Sequence, residues 1–213
     1  LVFGGGIRVE TSSPTLINLI IKDNFGNYGG GIGCYSSSPI INNCNILNNI
    51  APARGGGIYC SNSSPTLSNV SIIGNSATEV LPASGGGIYC DNNSNPTLTN
   101  VTISGNSADD GGGIYSNDAN PSFLNSILWN NSPQEIDGSI TATYSDIQGG
   151  YEGTGNINAD PLFVDAANDD YHLSDYSPAI GAGTSDGAPL TDIEGNPRPN
   201  PEGSSPDMGA YEN

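Results

Sequence analysis

Four carboxylates crowd one short stretch near the end of the sequence: Asp160, Asp165, Asp169 and Asp170. Carboxylate oxygens are the ligands that calcium takes in proteins, so this stretch is a candidate calcium site. The spacing does not match an EF-hand loop, and acidic loops also keep a secreted protein soluble. Calcium is therefore the one cofactor that the sequence indicates, with solvated acidic loops as the alternative.

The other titratable residues offer little for catalysis. A hydrolase needs paired carboxylates, and the adjacent pair Asp109 and Asp110 lies in a stretch typical of a solvated turn. The single histidine, His172, is too near in sequence to Ser174 and Asp175 to form a triad with them, and we expect it to pack between tyrosines. A lyase needs a basic residue beside acidic calcium ligands, and the bases of the repeats have no such neighbours. We expect no catalytic residues.

Three tyrosines recur at one position of a repeated motif, each after an isoleucine that follows three glycines: Tyr59, Tyr89 and Tyr115. We expect them to form an outward ladder that faces solvent. Stacked aromatic rings can contact carbohydrate, and cross-strand tyrosine pairs also simply stabilise a sheet. Both interpretations stay open.

These tyrosines belong to a repeat that organises the chain. Gly-Gly-Gly-Ile-Tyr-Cys stands at 55–60 and again at 85–90, with three related segments elsewhere. A period in the range found here is the signature of a stacked repeat protein. The isoleucines are separated by 25, 26, 30 and 26 residues: Ile7, Ile32, Ile58, Ile88 and Ile114.

Each repeat continues from a proline with a constant pattern. Position +2 is apolar, positions +4 and +10 are asparagine, and positions +5 and +7 alternate as in a β-strand. Strands this short pair in parallel with the equivalent strand of the next repeat. The sequence therefore predicts an all-β fold, a right-handed parallel β-helix with three sheets and about 25–30 residues per coil. The prolines are Pro14, Pro39, Pro65, Pro96 and Pro121.

Glycine and asparagine have structural uses in such a solenoid. A glycine triplet permits positive φ and a sharp turn into the isoleucine strand. Asparagine tolerates the left-handed conformation at a corner, and stacked asparagines can hydrogen-bond along the axis. We expect both uses here and assign no ligand to these residues.

The residue after each proline forms a second outward ladder: Thr15, Ile40, Thr66, Thr97 and Ser122. Threonine ladders of this kind occur in ice-binding solenoids. Ile40 interrupts the ladder and no Thr-x-Thr array persists, so the sequence does not favour that function.

Four cysteines fall on inward positions of the predicted coil. Cys34, Cys60 and Cys90 share one repeat position, and Cys44 takes an apolar one. Neighbouring α-carbons would lie within disulfide range, but in-register β-carbons would be too far apart for an unstrained bond. We expect buried free thiols, and the absence of histidine at matching positions gives no support for zinc.

The composition limits the partners. The net charge is −18 with only four basic residues, which disfavours nucleic acid and anionic membrane surfaces. We see no membrane span and no signal peptide, and we expect the chain to be a mature or excised piece of a longer protein. Residues 1–133 hold seven acids and three bases, whereas 134–213 hold fifteen acids and one base. We place repeats at 1–150 and a C-terminal module at 151–213.

The C-terminal third carries a distinct string of motifs. It includes Asn158–Asp165, Ser177–Gly183, Asp192–Pro199 and Asp207–Glu212. This string is similar to the choice-of-anchor Q module that terminates β-helix regions of bacterial surface proteins. Residues 1–133 resemble polymorphic outer-membrane-protein repeats, with Gly-Gly-Gly-Ile in place of Gly-Gly-Ala-Ile and, for example, Ile72-x-x-Asn75 in place of Phe-x-x-Asn. The resemblance implies a surface stalk, adhesin or display role and no catalytic residues.

An exposed end of a coil stack presents unpaired strand edges, so we expect the C-terminal module to cover the last coil. The main hypothesis is a non-enzymatic extracellular or cell-surface protein of a bacterium, serving as stalk, adhesin or filament subunit. The alternative is a β-helix that binds or cleaves an extracellular polysaccharide. The expected partners are an extracellular glycan or surface, or another copy stacked end to end.

Overall fold

Each coil opens with a strand that carries the repeat isoleucine, and these strands stack in parallel into one six-stranded sheet. The computed structural model describes residues 4–78 and 82–213. The isoleucines pair in register from Ile7 to Ile114, as predicted, and Ile136 continues the row in a sixth coil that lacks the glycine triplet. We call this sheet the first face. Its strands are Ile7–Glu10, Ile32–Tyr35, Ile58–Ser61, Ile88–Asp91, Ile114–Ser116 and Ile136–Gly138.

The two segments after each proline form a second and a third face, joined in one hydrogen-bonded sheet. In the middle coils one bent strand supplies both faces: Ile40–Leu47, Thr66–Ile73 and Thr97–Ser104. In the outer coils the faces have separate strands: Thr15–Ile17, Ile20–Lys22, Ser122–Leu124, Ile127–Trp129, Thr141–Thr143 and Asp146–Ile147. A short pair, Ile50–Ala51 with Ser76–Ala77, lies at the next corner.

The bend between the second and third faces falls on the +4 asparagine. All five of these residues have φ between 50° and 56°, the left-handed region that asparagine adopts more readily than most residues. The predicted corner role is therefore confirmed for this set: Asn18, Asn43, Asn69, Asn100 and Asn125.

The +10 asparagines form the predicted ladder along the axis. Each donates its backbone N–H and its side-chain Nδ2 to the Oδ1 of the next, at 2.8–3.1 Å. From the second coil on, Nδ2 also donates to a backbone carbonyl of the preceding coil at 2.9 Å. The ladder satisfies buried polar groups at the corner where the third face ends. Its members are Asn24, Asn49, Asn75, Asn106 and Asn131, and Glu135 accepts from the last of them.

The glycine triplet is required for two reasons. The first glycine of each triplet has positive φ, as Gly55 does at 65°. At the second, a β-carbon on Gly56 would collide with the backbone oxygen of Gly86 in the next coil. The triplet therefore provides both the turn and the close approach of consecutive coils.

The core is a continuous apolar column between the three faces, and it includes all four cysteines as free, buried thiols. Cys34, Cys60 and Cys90 pair in register within the first face, as expected. The Cys60 thiol and burial raise the pKa of Cys34. These thiols act as small apolar groups that fill the column.

The closed end of the stack is built by the segment that follows the last coil. The Tyr151 hydroxyl donates to the carbonyl of Ile140 at 2.9 Å, and Ile157 N–H donates to the carbonyl of Ser145 at 2.9 Å. Tyr151 packs against the apolar column. Residues 148–158 therefore cover the sixth coil.

The rest of the C-terminal segment, residues 159–213, contacts the stack from the side, and its role as a cap stays a prediction. This segment, the lateral module, lies along the outside of the third face. A short antiparallel hairpin, Phe163–Asp165 with Asp170–Leu173, begins it, with a 3₁₀ turn at Ala166–Asn168. Among the residues described, no helix is long and apolar enough to cross a membrane.

The lateral module is held by corner asparagines of three successive coils. Asn125 exchanges two hydrogen bonds with the backbone of Thr184, both at 2.8 Å. Asn100 Nδ2 donates to the carbonyl of Asp207 at 3.0 Å, and Asn69 Nδ2 donates to that of Thr191 at 2.8 Å. The +4 side chains thus have a second function, which sequence periodicity did not show: they dock the module.

Candidate functional site

The tyrosine ladder exists, but it is not the open surface that the sequence indicated. The rings of Tyr59 and Tyr89 stack at 5.4 Å between centroids, and those of Tyr89 and Tyr115 at 5.2 Å, with interplanar angles of 14° and 7°. Tyr59 is only 7% exposed and Tyr89 only 3%, so the expectation that they face solvent is wrong for both. Tyr115 alone of the three is half-buried.

Residues just before the glycine triplets cover this ladder. Tyr28 lies with its ring 5.3 Å from that of Tyr59 in the next coil, and the Arg54 guanidinium lies 4.9 Å from the ring of Tyr89. Burial raises the pKa of Tyr59 to about 12. The stack therefore stabilises the first face by ring packing and cation–π contact, and carbohydrate contact there stays an untested prediction.

The four aspartates proposed for calcium are not brought together. Asp160 Oδ1 accepts from the Leu162 N–H at 3.0 Å, and Asp165 Oδ2 accepts from Asn168 Nδ2 at 2.8 Å. Across residues 4–78 and 82–213, no three acidic, histidine or cysteine side chains are placed to hold a metal ion. Each carboxylate has a separate local environment. Asp169 lies at the left-handed end of the 3₁₀ turn, and Asp170 lies beside His172.

His172 lies between two carboxylates. Its Nδ1 is 2.6 Å from Asp170 Oδ1 and its Nε2 is 3.2 Å from Glu194 Oε2, while its ring packs 4.4 Å from that of Tyr211. Burial opposes the charged imidazole, but the two carboxylates outweigh it and raise the pKa of His172. Neither ring nitrogen pairs with Ser174 or Asp175, so the histidine joins the hairpin to the rest of the lateral module.

Asp109 and Asp110 lie at a corner, as the sequence indicated. Asp109 is exposed, and its Oδ2 accepts from the Ala83 N–H at 2.9 Å. That contact ties one corner loop to the next and leaves the pair in the role of turn residues.

Sequence reasoning missed a buried ion pair in the lateral module. Arg198 and Glu212 form an ion pair at 2.7 Å with both side chains fully buried, and Arg198 also donates to Asn69 Oδ1 at 2.9 Å. Glu212 accepts in addition from the N–H groups of Asn200 and Asp207. A signal was present, because Arg198 is the one base among fifteen acids after residue 133.

The outer sides of the three faces differ in what covers them. The rings of the tyrosine ladder and the Arg54 guanidinium cover the outer side of the first face. The lateral module covers the third, where Ser71, Thr102 and Ser104 are buried although they point away from the core. The second face carries the post-proline ladder, and it is the broad sheet surface that stays exposed among the residues described.

The geometry described here is that of a known family. Residues 2–152 match the family model described as a right handed beta helix region, and the chain belongs to that family. The coil is thus right-handed, as predicted.

Among solved structures, the chain is similar to the crystal structure of pectate lyase Pel9A, with 17% identity and a TM-score of 0.46. That match covers 99% of this chain and 69% of the other. A comparison with curated proteins gives no match.

Proposed function

We propose that this chain is a non-catalytic extracellular rod, a stalk or adhesin displayed at a cell surface. The observation that carries the proposal is the lateral module, which joins successive coils from the side through buried polar contacts. In a plain solenoid each repeat contacts only its neighbours, so the stack can separate between any two coils. A segment docked on Asn69, Asn100 and Asn125 at once opposes that separation.

This arrangement suits a stalk that transmits force or holds a binding surface at a distance from the cell. Arg198 and Glu212 pair with both side chains fully buried, and Arg198 also donates to Asn69 in the solenoid. Breaking such a contact leaves a charge unpaired in the interior, which costs about 3–5 kcal/mol. The acidic exterior, with net charge −18, keeps a secreted rod soluble.

The finer affiliation is part of this proposal. The repeats resemble polymorphic outer-membrane-protein repeats, and the motif string after residue 158 resembles the choice-of-anchor Q module. In this chain that string supplies the buried network of the lateral module, including Asp192, Arg198, Asp207 and Glu212. A bacterial surface location agrees with both resemblances.

Two measurements test the proposal. The protein is incubated with soluble and insoluble polysaccharides, including polygalacturonate, and reducing ends and unsaturated products are followed. We expect neither product. Turnover that Asp109→Asn or Asp110→Asn abolishes would contradict the proposal and establish the cleaving alternative. Immunogold labelling of intact source cells should place the protein outside, and label confined to the cytoplasm would also contradict it.

A further inference from the structure

The outer side of the second face presents two straight rows of side chains. Their inward neighbours, such as Leu67 and Leu98, are buried, and because side chains alternate along a strand, the flanking positions point outward. We call these rows together the hydroxyl face. The first row is Thr15, Ile40, Thr66, Thr97, Ser122 and Thr141. The second row is Ile17, Asn42, Ser68, Thr99, Leu124 and Thr143.

No position of the hydroxyl face carries a charge, although the chain as a whole has a net charge of −18. Hydroxyl groups dominate it, and each can both donate and accept hydrogen bonds. Methyl and aliphatic groups of Thr, Ile and Leu lie between them. Such a face suits a ligand that is itself neutral, rich in hydroxyls and apolar across its ring faces.

The register makes this pattern continuous. Every strand of the face pairs in parallel with the next without a shift, from Thr15 to Thr141. The rows therefore run straight along the solenoid axis with a repeat of about 4.8 Å, the spacing of paired strands. A ligand that matches them must be extended and regular, as a polymer chain is.

One end of the face has a shallow trough. It has a volume of about 220 Å³ and is lined by residues of three strands, among them Thr97, Thr99, Thr141 and Thr143. The lateral module borders it, since a β-carbon on Gly187 would lie 3.1 Å from Leu124 Cδ2. The trough gives an extended ligand a lateral limit.

We propose that the hydroxyl face binds the flat side of a neutral, β-linked polysaccharide, with the chain axis along the rows. The proposal deepens the adhesin function above and rests on it. Threonine hydroxyls exchange hydrogen bonds with sugar hydroxyls, and the methyl groups contact the C–H faces of the rings. The absence of charge explains why a neutral glycan and not an acidic one is the occupant.

The test is depletion of the full chain from solution by microcrystalline cellulose and by chitin, with polygalacturonate as an acidic comparison. We expect retention on a neutral polysaccharide and none on polygalacturonate. The double variant Thr97→Lys, Thr141→Lys should weaken that retention at least about tenfold, because two ammonium groups then hold the polymer off the face. Both sites are exposed, so the melting temperature should stay unchanged.

The matched control is Ala167→Lys, on the exposed 3₁₀ turn of the lateral module, which should bind like the parent chain. Failure to bind cellulose and chitin, or equal binding by the double variant, overturns the inference. Thermal hysteresis in ice, or a dimer that the double variant dissociates, would also overturn it in favour of ice or a second copy. Cleavage of the bound polymer would instead refute the non-catalytic function and leave the face assignment standing.

Discussion

Asparagine serves two separate purposes in this chain, and its position in the coil decides which. At +4 the backbone turns left-handed and the side chain points out toward the lateral module, as Asn100 does. At +10 the side chain turns inward and Asn75 bonds to both neighbouring coils. The sequence predicts both recurrences, but identical residue types at two corners do not reveal which side chain faces the core.

Asp146 makes the free energy of unfolding depend on pH. It is fully buried, its Oδ1 accepts from the Ala159 N–H at 3.1 Å, and its Oδ2 has no partner. Burial raises the pKa of Asp146 to about 6. Because an unfolded aspartate has a pKa of about 3.9, the folded state binds the extra proton. Stability from this group is therefore fully present below pH about 4 and is lost as the pH rises through about 6.

We predict that Asp146→Asn raises the free energy of unfolding by about 2–3 kcal/mol at pH 8, because the charge is no longer forced into the interior. The difference between variant and parent should shrink as the pH falls below about 6 and nearly vanish at pH 4. Denaturant unfolding at several pH values measures it. Asp186→Asn, on an exposed turn, should change stability by less than about 0.5 kcal/mol at either pH. A pH-independent gain from Asp146→Asn would rule out this explanation.

At the scale of elements, the lateral module depends on one buried ion pair. We predict that Arg198→Met lowers the free energy of unfolding by about 3–5 kcal/mol, because the buried Glu212 carboxylate is then left without its cationic partner. The double variant Arg198→Met, Glu212→Leu should recover part of that loss. Trp129, the single tryptophan, packs beside the module's apolar cluster, so its fluorescence should report the release of the module in denaturant.

Arg8→Met is the comparison, since the Arg8–Glu10 pair at 2.8 Å is half exposed on both sides. Its loss should cost less than about 1 kcal/mol, in line with surface ion pairs. If Arg198→Met lowered the free energy of unfolding as little as Arg8→Met does, the lateral module would not depend on the buried ion pair.

Periodicity made most of the solenoid predictable and almost none of the module. The isoleucine rows, the corner asparagines and the free thiols all follow from a repeat, because each coil restates the same contacts. Residues 159–213 have no period, and their docking contacts join residues as far apart as Asn69 and Arg198. The sequence also failed to predict the burial of Tyr89, because the Arg54 guanidinium that covers its ring comes from the preceding coil.

For the whole molecule, the lateral module should make unfolding cooperative along the axis. Repeat stacks tend to fray from their ends, because each coil is stabilised only by its neighbours. Here the third, fourth and fifth coils share one docked segment, and residues 193–195 border a groove with Asn18 and Asn43 of the first two coils. The stack is therefore expected to open as a unit.

Thiol labelling tests this cooperativity. Cys34, Cys60 and Cys90 lie in the second, third and fourth coils and have no exposed surface. We predict that all three react at one common rate, slowed by a factor on the order of 10³ or more relative to an unfolded chain. Mass spectrometry of labelled peptides gives the individual rates. Faster reaction of Cys34 in the parent chain would show that early coils open independently, whereas Arg198→Met should make the three rates diverge.

The asparagine ladder gives the solenoid a polarity along its axis. Every hydrogen bond from one asparagine to the next runs toward the C-terminal end, from Asn24 to Asn131, so each side chain accepts from the coil before and donates to the coil after. The series terminates on Glu135, a carboxylate that accepts. A carboxylate has no N–H to pass on, so the row of amide donors cannot continue beyond Glu135 by the same hydrogen bonds.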